Sequence, residues 1–196
     1  MSEPLRWGIA STGEISNAMA PTLATLAEAP VVAVGSRTQA AADALAATHG
    51  IARAHASFDA LAADPDVDVV YVGSPHSEHH AMTIAALEAG KHVLCEKAFA
   101  LNAHQASEMI DAARRNDRLL MEAMWSWLLP SWIELRDRIH CGVIGEVISV
   151  DATFCIRVSD PDGRHRRPDL GGGALLDLGI YPLSIGRYLL GEPNDA

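Results

Sequence analysis

Arg6-Trp7-Gly8-Ile9-Ala10-Ser11-Thr12-Gly13-Glu14-Ile15-Ser16 reads as a short apolar strand, a turn and the opening of a helix. In the dinucleotide fingerprint of a βαβ unit, one glycine makes the turn tight. A second lets the backbone approach a pyrophosphate, and a third permits close packing of helix on strand. Ser11, Gly13 and Ser16 occupy those places, so only the closest-approach position keeps its glycine. A phosphate seated here would meet backbone N–H groups and the positive end of a helix dipole. The same residues also fit a plain strand-to-helix turn, and the surrounding chain has to decide.

That chain alternates. Strand-length apolar runs fall at Leu5 to Ala10, Val31 to Gly35, Val67 to Gly73, His92 to Cys95 and Leu119 to Ala123. Between them Ile15 to Glu28, Thr38 to His49, Phe58 to Ala63, His79 to Ala89 and Ala103 to Arg115 carry helical spacing. Continuous apolar strands separated by helices predict a parallel sheet covered on both faces, a doubly wound α/β (Rossmann) domain over residues 1–123. Thr38 and Asn102 are placed as N-caps, and Gly50 and Gly90 follow helices where a left-handed residue is needed. Pro21 predicts a kink or a restart in the first helix. After Ala123 the pattern changes to a helix over Pro130 to His140, one long strand over Glu146 to Val158, a polar loop, and a helix over Ala174 to Leu190. A lone strand exposes two unpaired edges, so residues 124–196 read as the beginning of an α+β domain whose sheet is completed by something else, as in a truncated chain.

The 15 Lys and Arg against 25 Asp and Glu give a net charge of −10, which opposes a general affinity for nucleic acid or an anionic membrane surface. Any phosphate must be held locally. Cys95, Cys141 and Cys155 are odd in number and widely spaced, which suggests neither a disulfide framework nor structural zinc. With no signal-peptide pattern and no run of 18 apolar residues, a cytoplasmic location is expected. At the end of the second strand, Gly35-Ser36-Arg37-Thr38 lacks the carboxylate that would bond a ribose 2′-OH. Arg37 beside Ser36 suits a 2′-phosphate, which favours NADP while leaving NAD possible; Arg37 as a solvated loop residue is the plain alternative.

Two further stretches carry a family resemblance. Gly73-Ser74-Pro75-His76-Ser77-Glu78-His79, followed by Ala89-Gly90-Lys91-His92-Val93-Leu94-Cys95-Glu96-Lys97, resembles the paired cofactor motifs of the Gfo/Idh/MocA oxidoreductases. Gly171-Gly172-Gly173-Ala174-Leu175-Leu176-Asp177-Leu178-Gly179-Ile180-Tyr181 resembles the second-domain motif of that family's tyrosine-bearing branch. Arg6 to Ser16 and Leu120 to Trp125 are similar to its dihydrodiol dehydrogenases and NADP-dependent xylose dehydrogenases. His76, Ala98 and Ser11 depart from the family's asparagine, proline and first glycine. The resemblance implies a second domain built on an open antiparallel sheet that binds substrate and dimerises, hence a homo-oligomer when that domain is complete. It also implies a small-molecule substrate and no metal.

The implied activity is NADP-dependent interconversion of an alcohol and a carbonyl on a sugar or cyclic diol by hydride transfer. Lys97 and Tyr181 become the acid/base pair, because an ammonium beside a phenol favours the phenolate. Asp177 precedes Tyr181 by one helical turn and joins them as a catalytic candidate. Ser11, Thr12, Gly13, Glu14, Ile15, Ser36, Arg37, Ser74, Pro75, His76, His79, Glu96 and Lys97 form the expected cofactor site. Trp125 and Phe154 are candidate walls for substrate. Each has a plain alternative: Tyr181 as a core phenol, Lys97 in a surface ion pair with Glu96, Asp177 in a helix-face hydrogen bond, and Trp125 and Phe154 as packing. His76, His79 and His80 lack a Glu or Cys at zinc spacing, and the basic run Arg164 to Arg167 reads as a solvated loop or else a lid. A silent NADP-binding regulator of the same family, or an inactive piece of a longer enzyme, is the alternative function.

Overall fold

The computed structural model describes residues 3–191, which divide into two compact units, Met1–Ala123 and Met124–Ala196. In the first, β1 (Trp7–Ala10), β2 (Val31–Gly35), β3 (Arg53–His55), β4 (Val69–Val72), β5 (His92–Cys95) and β6 (Leu120–Glu122) form one sheet in the order β3-β2-β1-β4-β5-β6. All of its pairings are parallel. Helices α1 (Glu14–Ala24), α2 (Gln39–His49), α3 (Phe58–Ala62), α4 (His76–Glu88) and α5 (Ala103–Arg115) connect the strands. This is the doubly wound dinucleotide-binding topology, whose strand order reverses between β1 and β4.

The central strands form where both faces are buried. All four residues of β4, Val69 to Val72, are buried, as are Ile9 and Ala10 in the adjacent β1 and Ala33 and Val34 in β2. The expected caps are present: Thr38 accepts from Ala41 N, Asn102 accepts from Gln105 N, and Gly50 closes α2 at φ 67°. Two expectations shift in detail. Helix α1 runs through Pro21 without a restart and ends at Ala24, short of Glu28. The missing N–H of proline removes a rung, and the bonds tighten to Thr25 N→Thr22 O and Leu26 N→Leu23 O. Helix α4 begins at His76, three residues before the predicted start, on a Pro75 N-cap. β3 was not predicted, because Arg53-Ala54-His55 has no apolar run to mark it.

The second unit holds a 3-10 turn at Trp125–Leu128, α6 (Pro130–His140), further short turns at Arg164–Arg166 and Pro168–Leu170, a π-helical turn at Leu175–Gly179, and α7 (Ile180–Leu190). The predicted strand over Glu146 to Val158 is not formed. Its alternating pattern needs a neighbour for its hydrogen bonds, and among the described residues no strand lies beside it. No described helix is long and apolar enough to cross a membrane.

An ionic network closes the amino end of the sheet, away from the strand ends that carry the site. Arg53 Nε and His55 Nε2 lie 2.8 and 2.9 Å from Asp64 Oδ2, and Asp66 N donates to Asp64 Oδ1 at 2.9 Å. Arg6 binds Asp68 through Nε at 2.9 Å and Asp66 through Nη1 at 2.8 Å. The buried Lys91 Nζ donates to the carbonyls of Asp64 and Val67. Burial alone would raise the Asp64 carboxyl, but the Asp66 amide, His55 and Arg53 together hold it below the usual carboxylate range. A carboxyl depressed by folding stabilises the fold above its unfolded value, near 4, and that stability is lost as pH falls through the folded value. Asp64→Asn is therefore expected to cost about 2 kcal/mol in denaturant unfolding at neutral pH. The gap to the wild type should close below about pH 4.

Candidate functional site

The turns after β1, β2, β4 and β5 gather at the carboxyl end of the sheet, where open α/β folds bind ligands. They bring together the residues expected there. Ser11 follows β1 with φ 117°, a conformation L residues rarely adopt and the one the fingerprint's first glycine would supply. Its hydroxyl is fixed on both sides, 2.8 Å from Ser16 Oγ and donating to Gly73 O at 2.8 Å. Thr12 Oγ1 lies 3.3 Å from Ser36 Oγ, which links the first turn to the end of β2. Arg37 is exposed beside it, as are Glu14 and Ile15 at the head of α1.

Gly13 is the N-cap of α1, and no side chain caps the helix. Its φ of −71° needs no glycine, and a Cβ built on it would have only Ser11 Oγ nearby, at 4.0 Å. Neither conformation nor packing explains a glycine here. A group approaching the backbone from outside does, and the uncapped N–H groups of α1 suit an anion. Around the β4 turn, Ser74 Oγ is buried with no hydrogen-bond partner among the described residues. The uncapped head of α1 thus offers the kind of donors a dinucleotide phosphate takes.

His76 and His79, in the first turn of α4, are both buried and their rings meet edge to face at 5.5 Å. His79 Nδ1 lies 2.9 Å from Ala98 O and Nε2 2.9 Å from Ser74 O, so one ring spans the turns after β4 and β5. Burial pushes this imidazole down to about 4, against the opposite pull of the two carbonyls. Pro75 is the N-cap of α4. Glu96 and Lys97, after β5, are half-buried, and Glu96 Oε2 accepts from Lys97 N at 3.2 Å. No group of three or more metal-binding side chains occurs among the described residues.

In the second unit Trp125, Phe154 and Tyr181 do meet. Trp125 Nε1 donates to Tyr181 Oη at 3.1 Å, with ring centroids 6.2 Å apart, and Phe154 stands edge to face on Tyr181 at 5.1 Å. Trp125 and Phe154 are exposed while Tyr181 is half-buried, so this is an open aromatic patch with a phenol at its centre. Asp177 lies in the π-helical turn just before α7 and is 4% exposed. Arg164 Nη2 reaches its Oδ1 at 3.2 Å and His165 Nδ1 its Oδ2 at 2.7 Å.

The reading of Arg164 to Arg167 as a solvated loop holds for the exposed Arg164, Arg166 and Arg167 but misses a tie made by its first two residues, Arg164 and the half-buried His165. They are the partners of Asp177, brought back by a tight turn at Gly172, where a Cβ would lie 2.3 Å from Arg164 O. Partners 12 and 13 residues away leave no periodic signal. Tyr71 was also missed: it is a buried phenol on β4 whose hydroxyl donates to Glu96 Oε1 at 2.8 Å. Its one sequence signal is a lone hydroxyl within an otherwise all-valine strand. Lys97 belongs to the first unit and Tyr181 to the second.

Residues 5–124 match the family model described as "Oxidoreductase family, NAD-binding Rossmann fold", and residues 132–196 match the "GFO/IDH/MocA C-terminal domain". The chain belongs to the Gfo/Idh/MocA oxidoreductase family. Among its relatives, the trans-1,2-dihydrobenzene-1,2-diol dehydrogenase of Xenopus tropicalis is 41% identical over 90% of this chain and 54% of its own length. The D-xylose 1-dehydrogenase (NADP(+)) of Hypocrea jecorina is 39% identical over 92% of this chain and 51% of its own. The chain thus spans about half the length of the curated relatives it matches. Of solved structures, a 3-ketoreductase from Actinomadura kijaniata in complex with NADP and TDP-benzene superimposes with a TM-score of 0.91 at 34% identity, over 96% of this chain and 58% of that one. The same ketoreductase was also solved with one lysine or one tyrosine replaced.

Ser11 provides a test of how the turn is held. Ser11→Ala removes two hydrogen bonds while keeping the positive φ, and is expected to cost about 1–2 kcal/mol in denaturant unfolding. Ser11→Gly loses the same bonds but relieves the backbone, and should recover about 1 kcal/mol of that cost.

Proposed function

We propose that this chain binds NADP at the carboxyl end of β1, β2, β4 and β5 and serves an oxidoreductase that interconverts an alcohol and a carbonyl on a sugar or cyclic diol. The observation that carries this reading is the uncapped head of α1 behind Gly13, a position where the protein itself makes no demand for glycine. Gly13 and the first N–H groups of α1 would hold the pyrophosphate, with Thr12, Glu14 and Ile15 around it. Ser36 and Arg37, with no carboxylate at the end of β2, would receive the 2′-phosphate. Ser74, Pro75, His76, His79 and Glu96 would line the nicotinamide half. The NADP-dependent relative and the NADP-bound neighbour support this choice of cofactor.

When bound, the nicotinamide supplies the hydride acceptor or donor. The chain's own residues handle the proton. In this reading Tyr181 takes the hydroxyl proton of the alcohol as its carbon gives up hydride, and returns one to the carbonyl in the reverse direction. Lys97 would be the other member of the acid/base pair that the family resemblance implies, a hydrogen-bond donor to the substrate oxygen. The Trp125 indole N–H already on Tyr181 Oη stabilises charge at that oxygen. Phe154 and Trp125 fix the plane of the phenol and offer an apolar wall to a ring-shaped substrate. Asp177, held by Arg164 and His165, anchors the turn from which α7 presents Tyr181. The first unit is then the cofactor domain and the second the start of the substrate domain, which forms a homo-oligomer when complete.

Titration followed by nicotinamide fluorescence checks the cofactor half. The wild type should bind NADPH at least about tenfold more tightly than NADH, and Arg37→Ala should erase that preference. Gly13→Ala should cost under about 1 kcal/mol of stability yet weaken NADPH by at least about tenfold, because its methyl group points only at the ligand. Equal affinity of the wild type for both nucleotides would remove the 2′-phosphate assignment. For the chemistry, Tyr181→Phe is expected to lower turnover of a sugar or cyclic diol by about a hundredfold or more, with the NADPH dissociation constant unchanged. Full turnover in that variant would end the role given to Tyr181.

A further inference from the structure

We infer that Tyr71 is a positioning residue of the dinucleotide site, acting through Glu96 on the loop that carries Lys97; this rests on the cofactor reading above. Tyr71 is fully buried in the middle of the sheet, on a strand that is otherwise valine. The ring alone would satisfy packing, and a phenylalanine would avoid the cost of desolvating a hydroxyl. The hydroxyl is instead committed to one partner: it donates to Glu96 Oε1 at 2.8 Å. The other oxygen of that carboxylate, Oε2, accepts from Lys97 N at 3.2 Å. One carboxylate thus ties the first amide of the Lys97 loop to a phenol that cannot move without disturbing the core. Burial and the neighbouring Glu96 push the phenol well above its usual range, so it stays a donor at every working pH.

Two further contacts extend the reach of this residue. The Tyr71 ring lies directly under the β4 turn, so close that a Cβ on Gly73 would sit 2.9 Å from Cε1. The Gly73 carbonyl is the one that receives Ser11 Oγ. The turns after β1, β4 and β5 therefore share a support. The same loop has a second carboxylate beneath it, Glu122, whose Oε1 accepts from Phe99 N at 3.1 Å. Burial, with a smaller contribution from Glu96, pushes the Glu122 carboxyl up. Of the two, Glu96 is the one joined to a buried phenol.

A double-mutant cycle with two readouts tests this. In Tyr71→Phe, hydrogen exchange at the Lys97 amide should speed up about five- to tenfold, with the amides of β1 and α2 unchanged. The NADPH dissociation constant should rise by a similar factor. In a Glu96→Ala background, Tyr71→Phe should add nothing to either readout, because the interaction it removes is already gone. Glu96→Gln leaves the core intact and should also speed Lys97 exchange, since an amide offers one acceptor oxygen where the carboxylate offers two. Unchanged Lys97 exchange in Tyr71→Phe, or the same effect with and without Glu96, would overturn the inference and leave Tyr71 as packing. If the wild type fails to bind NADPH, the cofactor reading fails, while the exchange readout still decides the Tyr71–Glu96 link.

Discussion

The hydrogen bond from Ser11 Oγ to Gly73 O spans the place where the strand order reverses, and the geometry of the site depends on it. Strands β1 and β4 run in register to Ala10 and Val72, then part toward α1 and α4. A crevice opens there because successive crossovers leave on opposite faces of the sheet. The Ser11 hydroxyl bridges it, and the cost is a residue at φ 117° that glycine would adopt freely. Serine at this position gains two polar contacts in exchange for strain of about 1–3 kcal/mol. The departure from the three-glycine pattern is thus a different way of holding the same turn.

From that turn outward, the support of the site runs through buried polar side chains, with loops supplying the surface. Tyr71 holds Glu96, Glu96 holds the Lys97 amide, and His79 lies between the carbonyls of Ser74 and Ala98. These contacts are buried or partly buried, so leaving a partner unmet there is costly. The loop after β5 is also packed, with Ala98 buried and Phe99 and Ala100 against the core. A cavity of about 800 Å³ along the β6 edge, lined by His92, Phe99, Ile110, Arg118, Leu119 and Glu122 among others, contains none of the expected cofactor residues.

Much of the first unit is legible in the sequence because its strands are buried on both faces and announce themselves as apolar runs, as Val69 to Val72 does. The caps at Thr38 and Asn102 are legible for a local reason, a side chain that reaches its own helix. β3 is illegible because an edge strand of three residues, two of them polar, has no such run. The strand expected over Glu146 to Val158 shows the converse: a period-two pattern states a capacity, and a ladder needs a partner. In the site, the glycine at position 13 could be read, but the partners of Asp177 could not. Arg164 and His165 reach it only because Gly172 lets the backbone fold back onto Arg164.

If the head of α1 and the turns after β2, β4 and β5 form one NADP cradle, the nucleotide should touch all four at once. Amide chemical shifts of the chain, followed while NADP is added, test it most directly. With a single cradle, the perturbed amides should cluster at residues 12–16, 36–37, 74 and 76, and 96–97, with β3 and the amino ends of the strands unmoved. Shifts concentrated along the β6 edge, or no shifts at saturating nucleotide, would contradict it.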